Sequence, residues 1–162
     1  LTDEPGIVLA TFYADCVPLY FVDTRNRAVA LAHSGWRGTV ARMGRCVAEK
    51  MKVVYGTRPE DLTAAIGPSI CRSCYEVSED VAQAFRDEFR KPGQAAQILD
   101  DKGGGKYQLD LWRANEIILQ EAGIAAERIQ VTDLCTCHNS GYLFSHRASR
   151  GKRGNLGAFL GL

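Results

Sequence analysis

The chain has 162 residues, 46% of them apolar and 24% charged, with a formal net charge of +1 at pH 7. This is enough apolar material for one packed core and argues against wholesale disorder. The near-neutral balance argues against nucleic acid or a membrane surface as partner, and no apolar run reaches the about 18 residues that span a bilayer.

Taken in order, Gly6 to Val22 is apolar, β-branched and aromatic enough for one long strand, and Arg27 to Ala32 supplies a second. Thr39 to Met51 reads as a helix with Val40, Met43, Val47 and Met51 on one stripe, and Cys46 on its apolar side as a core residue. Leu62 to Ile66 is a short strand running into Gly67-Pro68. Ser78 suits the N-cap of a helix with Val81, Phe85 and Phe89 inward. Ile98 to Leu109, broken by three glycines, reads as a hairpin. Asp110 caps a helix through Leu111, Ala114, Ile118 and Ala122, which Gly123 stops. Ile129 to Thr132, Tyr142 to Ser145 and Leu156 to Leu160 are further strands, and Gly151 to Gly154 is a basic loop. The chain is read as one catalytic domain over 1–162. It starts with Leu rather than Met, close to a strand and without a basic-then-apolar leader, and is expected to lack its N-terminal part.

The first two strands end in Cys16 and His33. A turn centred between Thr24 and Arg25, flanked by Asp23 and Asn26, pairs residues whose numbers sum to 49, so Cys16 faces His33. Such a pair can share a metal ion, with sulfur and ring nitrogen about 3.3–4 Å apart, or form a thiolate–imidazolium ion pair. The bland alternative is a small buried thiol and a satisfied polar residue. Asp15 beside Cys16 is a carboxylate at the exit of an apolar strand, suited to ordering a ligand shell or accepting a proton. Arg37 follows His33 in a glycine-rich turn that leads into a helix, where a fixed cation adds to the positive helix end and suits phosphate. Arg147 is a second candidate cation, with Lys152 and Arg153 behind it; the competing reading is a solvated basic rim.

Six cysteines are read as reduced, which with the absence of targeting signals points to the cytoplasm. Cys71-x-x-Cys74 with Cys135-x-Cys137-His138 has the spacing of a second zinc site, against a simpler reading as loop packing. Trp112 and Tyr107 read as core or as walls of a subsite.

The ordered segments ADCVPLYFVD, AHSGWRGT, IGPSICRSCYEV, DLWRANEIIL and CTCHNSGYLFSHR resemble the laccase-domain proteins, also described as purine nucleoside phosphorylases with adenosine deaminase activity or as polyphenol oxidases. The resemblance covers essentially the whole chain. It implies an α+β fold, a four-layer α/β/β/α sandwich with mixed, largely antiparallel sheets. It implies a zinc site of one Cys and two His, whose first two ligands fall on Cys16 and His33. The remaining His, in a Q-V-H-G segment upstream of ADC, has no counterpart here, and His138 and His146 do not match it. Phosphorolysis of adenosine- or inosine-type nucleosides and deamination of adenosine follow as expected activities, with Asp15, Arg37 and Arg147 in the reaction and a purine nucleoside and phosphate as small-molecule partners. Two other readings stay open. One is a copper oxidase of phenols, although Met43 and Met51, the only methionines, share one helix whereas a blue-copper site wants a long axial Met. The other is a Cys–His thiol enzyme with Cys16 as nucleophile.

Overall fold

The computed structural model describes all 162 residues. Strands β1 (Val8–Tyr13), β2 (Val17–Asp23) and β3 (Ala28–Ser34) lead into helices α1 (Trp36–Val40) and α2 (Met43–Tyr55). Strands β4 (Leu62–Ile66) and β5 (Glu76–Ser78) precede α3 (Glu79–Glu88) and α4 (Gln94–Ile98). The hairpin of β6 (Leu99–Gly103) and β7 (Lys106–Leu109), helix α5 (Leu111–Glu121), β8 (Ile129–Val131) and β9 (Leu156–Gly161) complete the chain. The strands form a four-stranded sheet in the order β3-β2-β4-β8, a three-stranded sheet β5-β7-β6 and a ribbon β1-β9. Every pairing is antiparallel except β4 with β8. This is the α+β class with largely antiparallel sheets.

Helices α2 and α5 pack on the four-stranded sheet, and the β1–β9 ribbon lies against β3. Where α2 meets α5, Gly44 lets Leu19, Ile118 and Leu119 approach closely; a Cβ there would stand 3.1 Å from Leu119 Cδ2. The core gathers Val17, Leu19 and Phe21 of β2, Leu62 and Ile66 of β4, Phe85 and Phe89, and Leu111 and Ile118 of α5.

Several elements depart from the sequence reading. The long first strand is two strands, because Asp15 takes a left-handed conformation (φ 74°) and breaks the ladder. The β2–β3 register sums to 51, not 49: Val22 faces Val29 and Pro18 faces His33. The cause is Asp23. Its carboxylate accepts from the backbone N–H groups of Arg25 and Asn26 at 2.9 and 3.0 Å, and Arg27 turns left-handed (φ 51°), so Asp23 pairs with Ala28 instead of Asn26 and the loop is two residues longer on the β3 side. The expected helix from Thr39 is split at Arg42 (φ 56°). Cys46 is exposed rather than core, because α2 buries Gly44, Ala48 and Met51 and position 46 lies on the opposite side of that stripe. Residues 142–145 form no strand. Ser78 does precede α3, but its hydroxyl bonds the Asp80 carboxylate instead of capping the helix. Asp110 caps α5 by accepting from Arg113 N at 2.9 Å, and Gly103, Gly104 and Gly105 turn the β6–β7 hairpin with φ of +79°, +62° and +72°.

The parallel pairing of β4 with β8 has a consequence for chemistry. Both strands point the same way, so the segments after Ile66 and Val131 leave the sheet side by side. Because β2 and β3 run antiparallel, the start of β2 and the end of β3 reach that same end. Cys16, His33, Cys71, Cys74 and Cys135 all lie in these segments.

Candidate functional site

Cys16 lies just before β2, opposite Gly35, while His33 is paired with Pro18. The two are therefore diagonal neighbours rather than directly opposed. A register change of two residues keeps the parity, so they remain on one face. Gly35 holds the space between them: a Cβ there would lie 2.9 Å from Cys16 Sγ and 3.9 Å from His33 Nε2. Its φ of −68° and ψ of −179° are open to any residue, so the constraint is close approach and not backbone strain.

Behind this pair the end of β3 is fixed by a buried polar network. Asn115 Nδ2 donates to Leu111 O at 2.8 Å and Thr39 Oγ1 at 3.2 Å, and Ser34 Oγ donates to Asn115 Oδ1 at 3.1 Å. It ties the residue after His33 to α1 and α5. The His33 ring stands 6.2 Å from that of Tyr13. Burial pushes the Cys16 thiol up, with Asp15 adding to the effect and Arg153 opposing it, and partial desolvation of the otherwise exposed His33 pushes its imidazole down. Both groups are thus biased toward their neutral forms, the reverse of what a thiolate–imidazolium pair requires. A metal that displaces the thiol proton suits this environment better. The thiol and imidazole fit zinc by donor type, and they converge on the clearing above Gly35.

Asp15 is buried, and both its oxygens are occupied: Oδ1 accepts from Thr136 Oγ1 at 2.6 Å and Oδ2 from the Arg147 backbone N–H at 2.7 Å. It ties two loops to the strand entry beside Cys16. The Arg147 guanidinium sits over the Tyr75 ring at 5.5 Å and donates to Glu76 O at 2.7 Å. Tyr75 has its hydroxyl pushed up to about 12, by burial first and then by the charge of Cys16. It belongs to this site and was missed in the sequence, where the only signal was its place within the CYEV segment. Arg37 is exposed and its guanidinium stacks on Trp36 at 4.2 Å, while its backbone carbonyl accepts from Ala41 N–H at 2.9 Å. The helix-end argument for it fails, because Arg37 is the second residue of the five-residue helix α1 instead of preceding a long one. Arg153 feels Cys16 electrostatically; His146 is exposed outside the group.

The other thiols gather separately. Cys71, Cys74, Cys135 and His138 bring one donor atom each to within 4.8 Å of one another, and Cys137 stays outside, packed against the core. Cys71, Cys135 and His138 border the largest surface cleft, about 620 Å³, whose lining includes Trp112, Asp110 and Asn139. Trp112 is half-buried and donates to Ser69 Oγ at 2.6 Å, so it is a cleft wall, whereas Tyr107 packs under Arg86 at 5.0 Å. None of Cys16, His33, Arg37 and Arg147 lines that cleft.

A family model described as multi-copper polyphenol oxidoreductase laccase matches residues 1–162. The chain is 39% identical to Purine nucleoside phosphorylase YlmD of Bacillus subtilis over 161 residues, which is 99% of this chain and 57% of that protein. The crystal structure of YlmD from Geobacillus stearothermophilus superposes with a TM-score of 0.91 at 36% identity, covering 98% of this chain and 58% of the other. The crystal structure of the Bacillus licheniformis hypothetical protein YfiH gives 0.90 at 37% identity, covering 99% and 59%. The chain therefore spans about three-fifths of the length of these relatives.

Proposed function

The chain belongs to the multi-copper polyphenol oxidoreductase laccase family, and from that premise we propose that its Cys16–His33 face serves phosphorolysis of purine nucleosides. The observation that carries this reading is that Cys16 Sγ and His33 Nε2 both lie within 4 Å of the position a Cβ on Gly35 would take. The name borne by the Bacillus subtilis relative supports the reaction class. A catalytic zinc takes three protein ligands, and these 162 residues bring no third Cys, His or carboxylate to the pair. The third donor then comes from outside them. When bound, the metal supplies Lewis acidity to an oxygen of the reacting water or phosphate.

This chain's own residues do the rest. Arg37 is free to take a phosphate in a bidentate clamp, and Arg147, held over Tyr75, adds positive charge nearby. A phosphate oxygen attacks C1′ of the ribosyl group. The C1′–N9 bond breaks with its electron pair going to the purine, which leaves as it takes up a proton. Charge spreads between phosphate and base in that transition state, and fixed guanidinium groups stabilise it. Asp15 acts as a positioning residue, since its two oxygens hold the 136 and 147 loops. Deamination of adenosine at the same face is the second reaction of this proposal.

The test is turnover of adenosine and inosine by the intact protein, with and without phosphate, alongside metal analysis. Cys16→Ala and His33→Ala should each remove most activity and about one equivalent of zinc while the fold persists. Full turnover by metal-free Cys16→Ala protein would overturn the assignment. Copper in place of zinc, with oxidation of a phenol, would move the site to the oxidase reading.

A further inference from the structure

We propose that Cys71, Cys74, Cys135 and His138 hold a structural zinc ion, distinct from any metal at Cys16 and His33. The donor atoms lie within 4.8 Å of one another, and Cys71 Sγ is 3.8 Å from His138 Nδ1. Tetrahedral bonds of about 2.3 Å to sulfur and 2.0–2.1 Å to nitrogen set donors about 3.5–3.8 Å apart. The group is at that size or within a small closure of it. Three thiols and one imidazole are a donor set that selects zinc among the common divalent ions, and four protein ligands leave no position open for a substrate. The ion is therefore structural.

The surroundings fit a bound thiolate. Cys135 Sγ accepts from the backbone N–H of Cys71 at 3.4 Å and of His138 at 3.5 Å, bonds that compensate negative charge on sulfur and orient the ligand. The two ligand-bearing loops are already joined by backbone bonds, Ser69 N to Leu134 O at 3.2 Å and Thr136 N to Ser69 O at 3.1 Å. Packing alone accounts poorly for the group, because His138 is exposed and yet turns a ring nitrogen toward Cys71.

The site also bears on the other face. Tyr75 follows Cys74 and stands under Arg147; Thr136 follows Cys135 and donates to Asp15. A zinc ion that pins Cys74 and Cys135 fixes the backbone one residue away from each of these contacts.

The experiment measures zinc in the intact protein and in three variants. Wild type should carry two equivalents, Cys16→Ala one, and Cys74→Ser or His138→Ala one. His138→Ala replaces an exposed side chain, so it reports on the site even if Cys74→Ser fails to fold. In the Cys16→Ala background, cobalt should give an intense thiolate-to-metal charge-transfer band with a tetrahedral ligand-field spectrum, and His138→Ala should abolish or shift it. Unchanged zinc in His138→Ala together with no cobalt spectrum would overturn the proposal, as would a disulfide among the three cysteines in protein purified under reducing conditions. Loss of zinc in the His138 and Cys74 variants but not in Cys16→Ala would keep this site and sink the catalytic metal instead.

Discussion

Gly35→Ala should disable the Cys16–His33 pair while leaving the fold in place. The new Cβ would stand 2.9 Å from Cys16 Sγ, where ordinary contacts begin near 3.4 Å. The sulfur must retreat by roughly half an ångström or rotate away, and overpacking of this kind costs about 1–3 kcal/mol. Alanine at the N-cap of α1 adds a few tenths of a kcal/mol or more. The backbone contributes no strain, because φ is −68°. At about 2–4 °C per kcal/mol for a chain of this size, the melting temperature should fall by roughly 3–14 °C. Metal binding should suffer more, since a ligand displaced by half an ångström meets the ion with poor geometry, and a loss of about 10–100-fold in affinity is expected. Competition against a chelator of known affinity measures it in the intact protein. Gly38→Ala is the control: its Cβ would meet His33 O at 3.4 Å, within ordinary contact, and should leave affinity unchanged. Wild-type affinity and turnover in Gly35→Ala would refute the idea that the two donors share an ion above this glycine.

Arg37→Lys should weaken phosphorolysis by about 2–3 kcal/mol in transition-state binding and deamination by under about 1, because an ammonium cannot reproduce the bidentate fork and only one reaction uses phosphate. Steady-state kinetics on both reactions decides it, and equal losses would make Arg37 a scaffold residue. A stability prediction concerns Glu121, half-buried among Arg42, Lys91 and Gln94. Burial by itself would raise its carboxyl, but hydrogen bonds from Lys91, Gln94 and Arg42 outweigh this and hold it at about 2, below the ordinary 4.5. Folding thus favours the ionised form, so its contribution is complete above pH 4.5 and fades as pH falls toward 2. Glu121→Gln should cost roughly 2–3 kcal/mol at pH 7 in denaturant unfolding and progressively less below pH 4.5; a gap independent of pH would refute the electrostatic account.

That Cys16 and His33 share a sheet face was legible because strand parity is robust: a loop longer by two residues changes the register by two and leaves both side chains on one face. The role of Asp23 in the turn was legible as well; what escaped was the left-handed Arg27 and the two further loop residues, which leave no periodic signal. The break at Asp15 escaped for a like reason. Its left-handed backbone is held by Thr136 and Arg147, more than 120 residues away along the chain. Helix caps at Asp110 and Gly123 were readable because they are local, whereas the split at Arg42 answers to ion pairs with Glu88 and Glu121 from other helices. The cysteine spacings did suggest a common site, but not which of Cys135 and Cys137 would join it.

Both groups of donors depend on one topological fact. A parallel pair sends its following segments out at the same end of a sheet, and β4 with β8 is the sole parallel pair here. The antiparallel neighbours β2 and β3 then bring a strand start and a strand end to that place. An all-antiparallel arrangement of the same four strands would have carried the 69–75 and 134–139 segments to opposite ends, with no Cys3His group and no Thr136 for Asp15. Loops that leave a sheet together are held by what joins them, and here that includes a few backbone bonds, the buried Asp15 carboxylate and the Cys71 N–H bond to Cys135 Sγ. The strained backbone at Asp15 (φ 74°) is tolerable because Thr136 and Arg147 satisfy its carboxylate, and Thr136 is held in turn by its N–H bond to Ser69 O at 3.1 Å. The order of dependence therefore runs from the parallel pair to the joined 69 and 136 segments, and from Thr136 to the Asp15 carboxylate beside Cys16.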